Sequence, residues 1–278
     1  MKINLKQVSL FTVFVLLTLP LTGTYVYATG VTCGSTITKS TTLTSNLICS
    51  TSTGITIGKN GITLDCAGYS ITQTATGTGV GIYFSGVKKV TLKNCIVDNW
   101  EYGFEIYGPG SGITLTGNTA KGNSNSGFWI DYISSSELTS NKASSNEYGF
   151  YITDSSSMVL KSNTATGNGY EGFGFDGGGS NTLTSNTASS NGGYGFDFYG
   201  WSGNKLKSNT ANSNSFDGFY MESTSTGNTL TSNTANLNHY YGFEDASTGS
   251  GTAGTGNTYI TNKASGDTLG PSSPPGLA

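Results

Sequence analysis

Gly172-Phe173-Gly174-Phe175-Asp176-Gly177-Gly178-Gly179-Ser180-Asn181-Thr182-Leu183-Thr184-Ser185-Asn186-Thr187-Ala188 contains the unit from which this chain is built. Phe173 and Phe175 alternate with Gly174 and Asp176, the two-residue period of a strand with one buried face. A glycine-rich turn follows, and Leu183, Asn186 and Ala188 then occupy positions that recur as Leu206, Asn209 and Ala211, and again as Leu230, Asn233 and Ala235. Outward from this unit, Gly-Phe pairs stand at Gly103-Phe104, Gly127-Phe128, Gly149-Phe150, Gly172-Phe173, Gly195-Phe196, Gly218-Phe219 and Gly242-Phe243, at steps of 22 to 24 residues. An Asn-x-Ala column runs with them through Asn118, Asn141, Asn163, Asn186, Asn209, Asn233 and Asn262. A fixed period of this length marks a solenoid whose units bury their apolar faces only by stacking. The period is too short for helix-pair repeats, and Leu-x-x-Leu-x-Leu patterning is absent. The expected fold is all-β: a single right-handed parallel β-helix of about nine rungs of ~23 residues, each with three short strands.

Gly, Ser, Thr and Asn fill the corners because they tolerate left-handed or side-chain-capped turns. Twenty-five asparagines suggest glycosylation, but no position satisfies Asn-x-Ser/Thr. A second column, Asn123, Asn146, Asn168, Asn191, Asn214 and Asn238, follows the first. Inward corner asparagines can bond through their amides to the asparagine above and below, as ladders in stacked strands do.

Lys2 and Lys6 precede an apolar run over residues 8–21, and Val26-Tyr27-Ala28 offers small residues at the usual cleavage positions. Residues 1–28 therefore read as a signal peptide, the apolar run being short for a membrane span. The mature chain is expected outside the cytoplasm, with no membrane span. Residues 29–60 read as an N-terminal cap and first coil, 61–265 as the β-helix and 266–278, with Pro271, Pro274 and Pro275, as a flexible tail. Cys33, Cys49, Cys66 and Cys95 cluster early in an exported chain, which argues for two disulfides rather than a metal site. Of three pairings we favour Cys33–Cys49 in the cap and Cys66–Cys95 between adjacent rungs, because Cys66 continues the inward series Ile62, Leu64 and Cys95 takes an inward Asn position. At the far end Asp245 takes an inward position held by Phe198 and Met221 in earlier rungs.

The formal net charge is -3, and all thirteen cations are lysine. Nothing supplies the basic stripe that nucleic acid requires.

Ile62-Thr63-Leu64-Asp65-Cys66-Ala67-Gly68, Val90-Thr91-Leu92-Lys93-Asn94-Cys95 and the repeated Leu-x-x-Asn-x-Ala-x-x-Asn rungs resemble the right-handed parallel β-helix repeat proteins, more narrowly the NosD-type group of exported bacterial and archaeal proteins. The resemblance covers about residues 61–264. It implies a fold shared by lyases, polygalacturonases, epimerases, tailspikes and adhesins, and no single activity. The copper link of the NosD name has no ligands here: His239 is the only histidine, and Met1, Met158 and Met221 form no cluster.

The outward positions of the Gly-Phe strand form a stripe of tyrosines and acids. After each Phe come Glu105, Trp129, Tyr151, Gly174, Asp197, Tyr220 and Glu244; two residues further lie Tyr107, Asp131, Thr153, Asp176, Tyr199, Glu222 and Ala246. Just before each Gly lie Tyr102, Ser126, Tyr148, Glu171, Tyr194, Asp217 and Tyr241, and Trp100 and Trp201 are expected on or beside the stripe. Exposed strand positions favour Tyr and Trp for packing along the stack, with acids for solubility. The sharper expectation is a polysaccharide-binding face using Glu105, Tyr107, Trp129, Asp131, Tyr151, Tyr199, Tyr220 and Glu244. A non-catalytic rod or adhesin is the structural alternative. If the face is catalytic, Asp176, Asp197 and Glu222 form diagonal pairs on neighbouring rungs, about 8 Å apart and within the inverting range of about 6.5–9.5 Å for glycoside hydrolysis. Lyase or epimerase chemistry lacks its usual arginine, and no lysine lies on the stripe. No cofactor is implied beyond Ca²⁺ as a possible bridge to an acidic polymer.

Overall fold

The computed structural model describes residues 30–278, so the signal peptide expected over residues 1–28 lies outside the described residues. Three long parallel sheets wind round one core, with a two-stranded parallel pair, Gly110–Ser111 and Ile133–Ser134, beside them. The Phe sheet has eleven strands, from Ser35–Ile37 through Phe173–Asp176 to Gly270–Ser273. The Leu sheet, from Thr41–Thr42 to Thr258–Ile260, and the Ala sheet, from Leu47–Cys49 to Lys263–Ser265, have ten each. Like residues pair with like across rungs: Phe173 with Phe196, Leu183 with Leu206, Ala188 with Ala211. The resulting phenylalanine stack, Phe104 to Phe128 and onward to Phe243, keeps ring centroids 4.5 to 4.9 Å apart, close to the strand spacing. Among the described residues no helix is long and apolar enough to cross a membrane.

Each Gly of the Gly-Phe pairs points inward at the junction of the Phe and Ala sheets. A Cβ on Gly195 would lie 2.6 Å from Gly218 O, 2.8 Å from Asn214 Nδ2 and 2.9 Å from Ala211 Cβ. The Gly and Ala columns are thus two sides of one close approach, which no larger side chain fits.

The asparagine ladders run inside the corners. Asn186 Nδ2 donates to Asn209 Oδ1 at 3.0 Å and to Leu160 O at 2.9 Å, while its backbone N–H donates to the same Asn209 Oδ1 at 2.9 Å. The second column repeats this, as in Asn191 Nδ2 to Asn214 Oδ1 at 3.0 Å. A third ladder, Asn181, Asn204, Asn228 and Asn257, was not read from the sequence; Asn204 Nδ2 donates to Asn228 Oδ1 at 2.8 Å. A left-handed residue precedes every ladder position except Asn257, as at Ser185 (φ 55°), Ser190 (φ 55°) and Gly203 (φ 68°). That residue breaks the strand alternation and swings the next side chain inward.

The same device corrects the reading of two tryptophans. Trp100 follows Asn99 (φ 71°) and Trp201 follows Gly200 (φ 58°), and both are fully buried rather than on the outer face. Trp100 Nε1 donates to Ile71 O at 3.0 Å, and Trp201 packs 4.6 Å from Phe175 and 4.7 Å from Phe198.

Both favoured disulfides are present, Cys33–Cys49 and Cys66–Cys95. Cys95 stands in the Asn column, and its N–H donates to Asn118 Oδ1 at 3.0 Å. At the other end Asp245 is buried, accepting from Tyr259 Oη and Asn257 Nδ2, both at 2.9 Å. Residues 266–278 are not a free tail: Gly270–Ser273 pairs with Tyr241–Asp245, and Leu277 is buried. The prolines in that segment suit an edge strand whose outer side needs no donors.

Candidate functional site: an acidic notch between two aromatic platforms

The strand register aligns the outer row Glu105, Trp129, Tyr151, Gly174, Asp197, Tyr220 and Glu244 across successive rungs. Side chains repeated at the strand spacing stack when they are aromatic, and here they form two platforms. In the first, Tyr102 and Trp129 lie 5.1 Å apart, and Tyr148 lies 5.3 Å from Tyr151 and 5.5 Å from Tyr170. Tyr102, Trp129, Tyr148 and Tyr151, with Asn125 and Ser126, border a depression of about 260 Å³. In the second, Tyr194 stacks on Tyr220 at 4.9 Å with planes 9° apart, and Phe216 bridges Tyr194 at 5.1 Å to Tyr240 at 5.3 Å.

Gly174 separates the platforms. It is the one position of the outer row without a side chain, and the space it leaves belongs to a second depression of about 290 Å³ lined by Tyr151, Gly174, Phe175, Asp176, Asp197, Tyr199 and Glu222. A Cβ at Gly174 would stand 2.9 Å from the Tyr151 ring and 3.7 Å from Glu171 Oε2. Glu171 is only 7% exposed. Its Oε2 and Asp197 Oδ1 are buried without hydrogen-bond partners, each a loss of about 1–3 kcal/mol unless something supplies a donor.

Burial, reinforced by the Glu171, Glu222 and Asp176 carboxyls, pushes Asp197 up to about 7. Burial also pushes Glu171 up to about 7, with Glu147 adding to the rise. Both acids therefore hold protons far above the ordinary carboxyl range. One rung further Asp217, 1% exposed, is pushed up to about 7 by burial and by the Glu244 carboxyl; it accepts from Tyr241 N–H at 2.6 Å. Burial likewise raises Glu105 and Glu244, and pushes the Tyr148 phenol up to about 12.

The fold brings Asp176, Asp197 and Glu222 into one depression with Tyr151 and Tyr199, and seats Tyr220 opposite Asp197. Trp129 belongs to the first platform. Glu105, Tyr107 and Glu244 lie on other rungs, away from the notch. Asp131 does not stand free on the face: it is 9% exposed, and its Oδ1 accepts from the Thr153 hydroxyl on the next strand. Glu171, Tyr148, Tyr170, Tyr194 and Phe216 complete the notch and platforms without having been assigned a role. Their signal was the alternation Tyr148, Glu171, Tyr194, Asp217, Tyr241 before successive Gly residues, in which each acid sits between two aromatic rungs. No lysine lies on any strand of the Phe sheet. Among the described residues no group of three or more His, Cys, Asp or Glu is placed to hold a metal ion.

The chain is similar in structure to the periplasmic alginate epimerase AlgG, at a TM-score of 0.57 and 14% identity over 80% of this chain and 61% of that one. It is similar to the Dettilon tailspike protein, at 0.60 and 13% over 83% and 60%, and to the A-module of the Azotobacter vinelandii mannuronan C-5 epimerase AlgE4, at 0.51 and 16% over 86% and 85%. The chain thus spans about three fifths of the length of the first two. A comparison with curated proteins finds no significant match. The family described as right handed beta helix region matches residues 29–187, 78–235 and 155–265. The chain belongs to that right-handed β-helix family.

Proposed function

We propose that this is an exported protein that binds a neutral polysaccharide along the outer face of the Phe sheet. The observation that carries the reading is the layout of that face: two aromatic platforms, one of tilted and one of stacked rings, on either side of a notch whose carboxyl oxygens lack partners. Aromatic rings pack against the C–H faces of sugar rings, and orphaned carboxyl oxygens gain donors from sugar hydroxyls. An anionic chain is disfavoured because the face carries acids and no lysine. Two of the similar structures are named as alginate and mannuronan epimerases; at their identity they speak for the fold, and the chemistry rests on this chain's own side chains. Two disulfides agree with an extracytoplasmic setting.

Retention of the purified protein on a glycan array tests this. Neutral oligosaccharides and polysaccharides are expected to be bound, with Trp129→Ala and Tyr220→Ala each weakening binding about tenfold or more, as loss of one stacked ring implies. A purely structural rod binds none of them.

A further inference from the structure

Two buried oxygens without partners, Glu171 Oε2 and Asp197 Oδ1, flank the space left by Gly174. Elsewhere in the interior the asparagine ladders join buried polar groups rung to rung. Of the four buried atoms left without partners among the described residues, Trp201 Nε1 and Asp267 Oδ2 lie elsewhere, and the two that remain gather at the point of the face where both aromatic platforms end. We propose that this notch hydrolyses the polysaccharide held by the platforms, with Asp197 as proton donor and Glu222 as the base that activates water; the proposal rests on the recognition reading above.

Tyr220 is the register partner of Asp197, and Glu222 lies two residues beyond it. One strand spacing and two residue rises set the Asp197 and Glu222 Cα atoms about 8 Å apart. Outward side chains from Cα atoms so spaced can hold their carboxyls at about 6.5–9.5 Å, which leaves room for a water molecule and gives inversion, whereas about 5 Å would give a covalent intermediate. In the step, Asp197 transfers its proton to the glycosidic oxygen as the bond from C1 to that oxygen breaks, and the bonding electron pair leaves with the oxygen. Water attacks C1 from the opposite side, and its proton passes to the Glu222 carboxylate. The product is the inverted hemiacetal, and the two carboxyls recover their protonation through solvent.

Asp197 is the more enclosed of the three acids, Glu222 is half-buried and Asp176 is exposed. This separates a donor in a dry setting from a base in contact with water. The ionisable groups facing Asp197 are Glu171, Glu222, Asp176, Tyr151, Tyr194 and Tyr220, none of them cationic. Burial and the Glu171, Glu222 and Asp176 carboxyls favour its protonated form, and the tyrosines are uncharged at neutral pH. Glu171 acts through Asp197 and is a positioning residue.

The test uses the full chain with dextran, laminarin, xyloglucan and galactomannan, measuring retention by affinity electrophoresis and cleavage by new reducing ends. At least one retained polysaccharide is expected to be cut, with inversion at C1 by proton NMR. Asp197→Asn lowers kcat by roughly 10²-fold or more with little change in KM. Glu222→Gln falls similarly and recovers with azide, which replaces the activated water. Glu171→Gln moves the alkaline limb of the kcat/KM profile to lower pH, a shift that a purely structural role for Glu171 would not cause. Retention without new reducing ends overturns hydrolysis and leaves recognition standing. Retention of none of the four overturns both. Cleavage that survives Asp197→Asn, or that retains configuration, overturns the assignment of roles.

Discussion

Gly174 stands directly opposite Asp197 in the register of the Phe sheet, so the gap in the outer row lies beside an acid that burial pushes up to about 7. Filling that gap is the most direct test of the face. Gly174 has no left-handed backbone requirement, and a methyl group there crowds the Tyr151 ring side chain at 2.9 Å while standing in ordinary contact with Glu171 Oε2 at 3.7 Å. Gly174→Ala is expected to abolish polysaccharide retention while shifting Tm by no more than a few degrees. Unchanged retention places the binding surface elsewhere.

Stability is expected to fall as pH rises. Glu171, Asp197 and Asp217 keep their protons up to about 7 in the fold, but release them near pH 4 when unfolded. Between these values the folded chain binds more protons than the unfolded chain, so their contribution is fully present below about pH 4 and is lost by about pH 7. Asp65, lowered by the Ala67 N–H and Lys93, works the other way at a more acidic pH. Thermal unfolding at pH 5 and pH 8 should show the higher Tm at pH 5, and Asp197→Asn with Asp217→Asn should flatten the difference. A higher Tm at pH 8 contradicts this account.

The ladders can be probed at Asn186, whose Oδ1 accepts from Asn163 N–H at 2.9 Å and from Asn163 Nδ2 at 3.0 Å. Asn186→Ala strands those donors together with Leu160 O, a loss of roughly 2–6 kcal/mol in urea denaturation. Ser189→Ala, on the outer side of the adjoining strand Thr187–Ser189, should stay within about 0.5 kcal/mol. Similar effects at the two sites would remove the ladder as a source of stability.

Cys66–Cys95 closes a separation of 29 residues, for which loop entropy implies about 3–4 kcal/mol. Cys66→Ala with Cys95→Ala is expected to lose about that much. Cys66→Ala with Cys95→Asn should recover part of it, because Cys95 already occupies the ladder slot beneath Asn118. Equal denaturant midpoints for the two double variants would show that the slot does not accept an amide.

The rung period, the inward Phe, Leu and Ala columns, the first two asparagine ladders and both disulfide pairs are legible in the residues alone. The reason is that a stacked solenoid reuses one register. Each strand alternates in and out with period two, and each residue meets its own counterpart one rung away, so spacing along the chain converts directly into contact. Phe173 over Phe196 is a statement about sequence intervals before it is one about coordinates.

Corners and diagonals follow a different rule. A single left-handed residue inverts the facing of its successor, so Trp100 and Trp201 turn into the core although alternation and their aromatic character placed them outside. Asn181 and Asn204 joined a third ladder for the same reason. The notch depends on neighbours from two rungs and two rows: Glu171 and Gly174 share a rung, and Asp197 stands opposite Gly174 on the next. The burial that raises their proton affinity is a property of the packed surface, not of any one segment. The chain's periodicity alone determined the rod and its core; only the tertiary structure decided where its acids lose water, because that depends on what the neighbouring rungs leave empty.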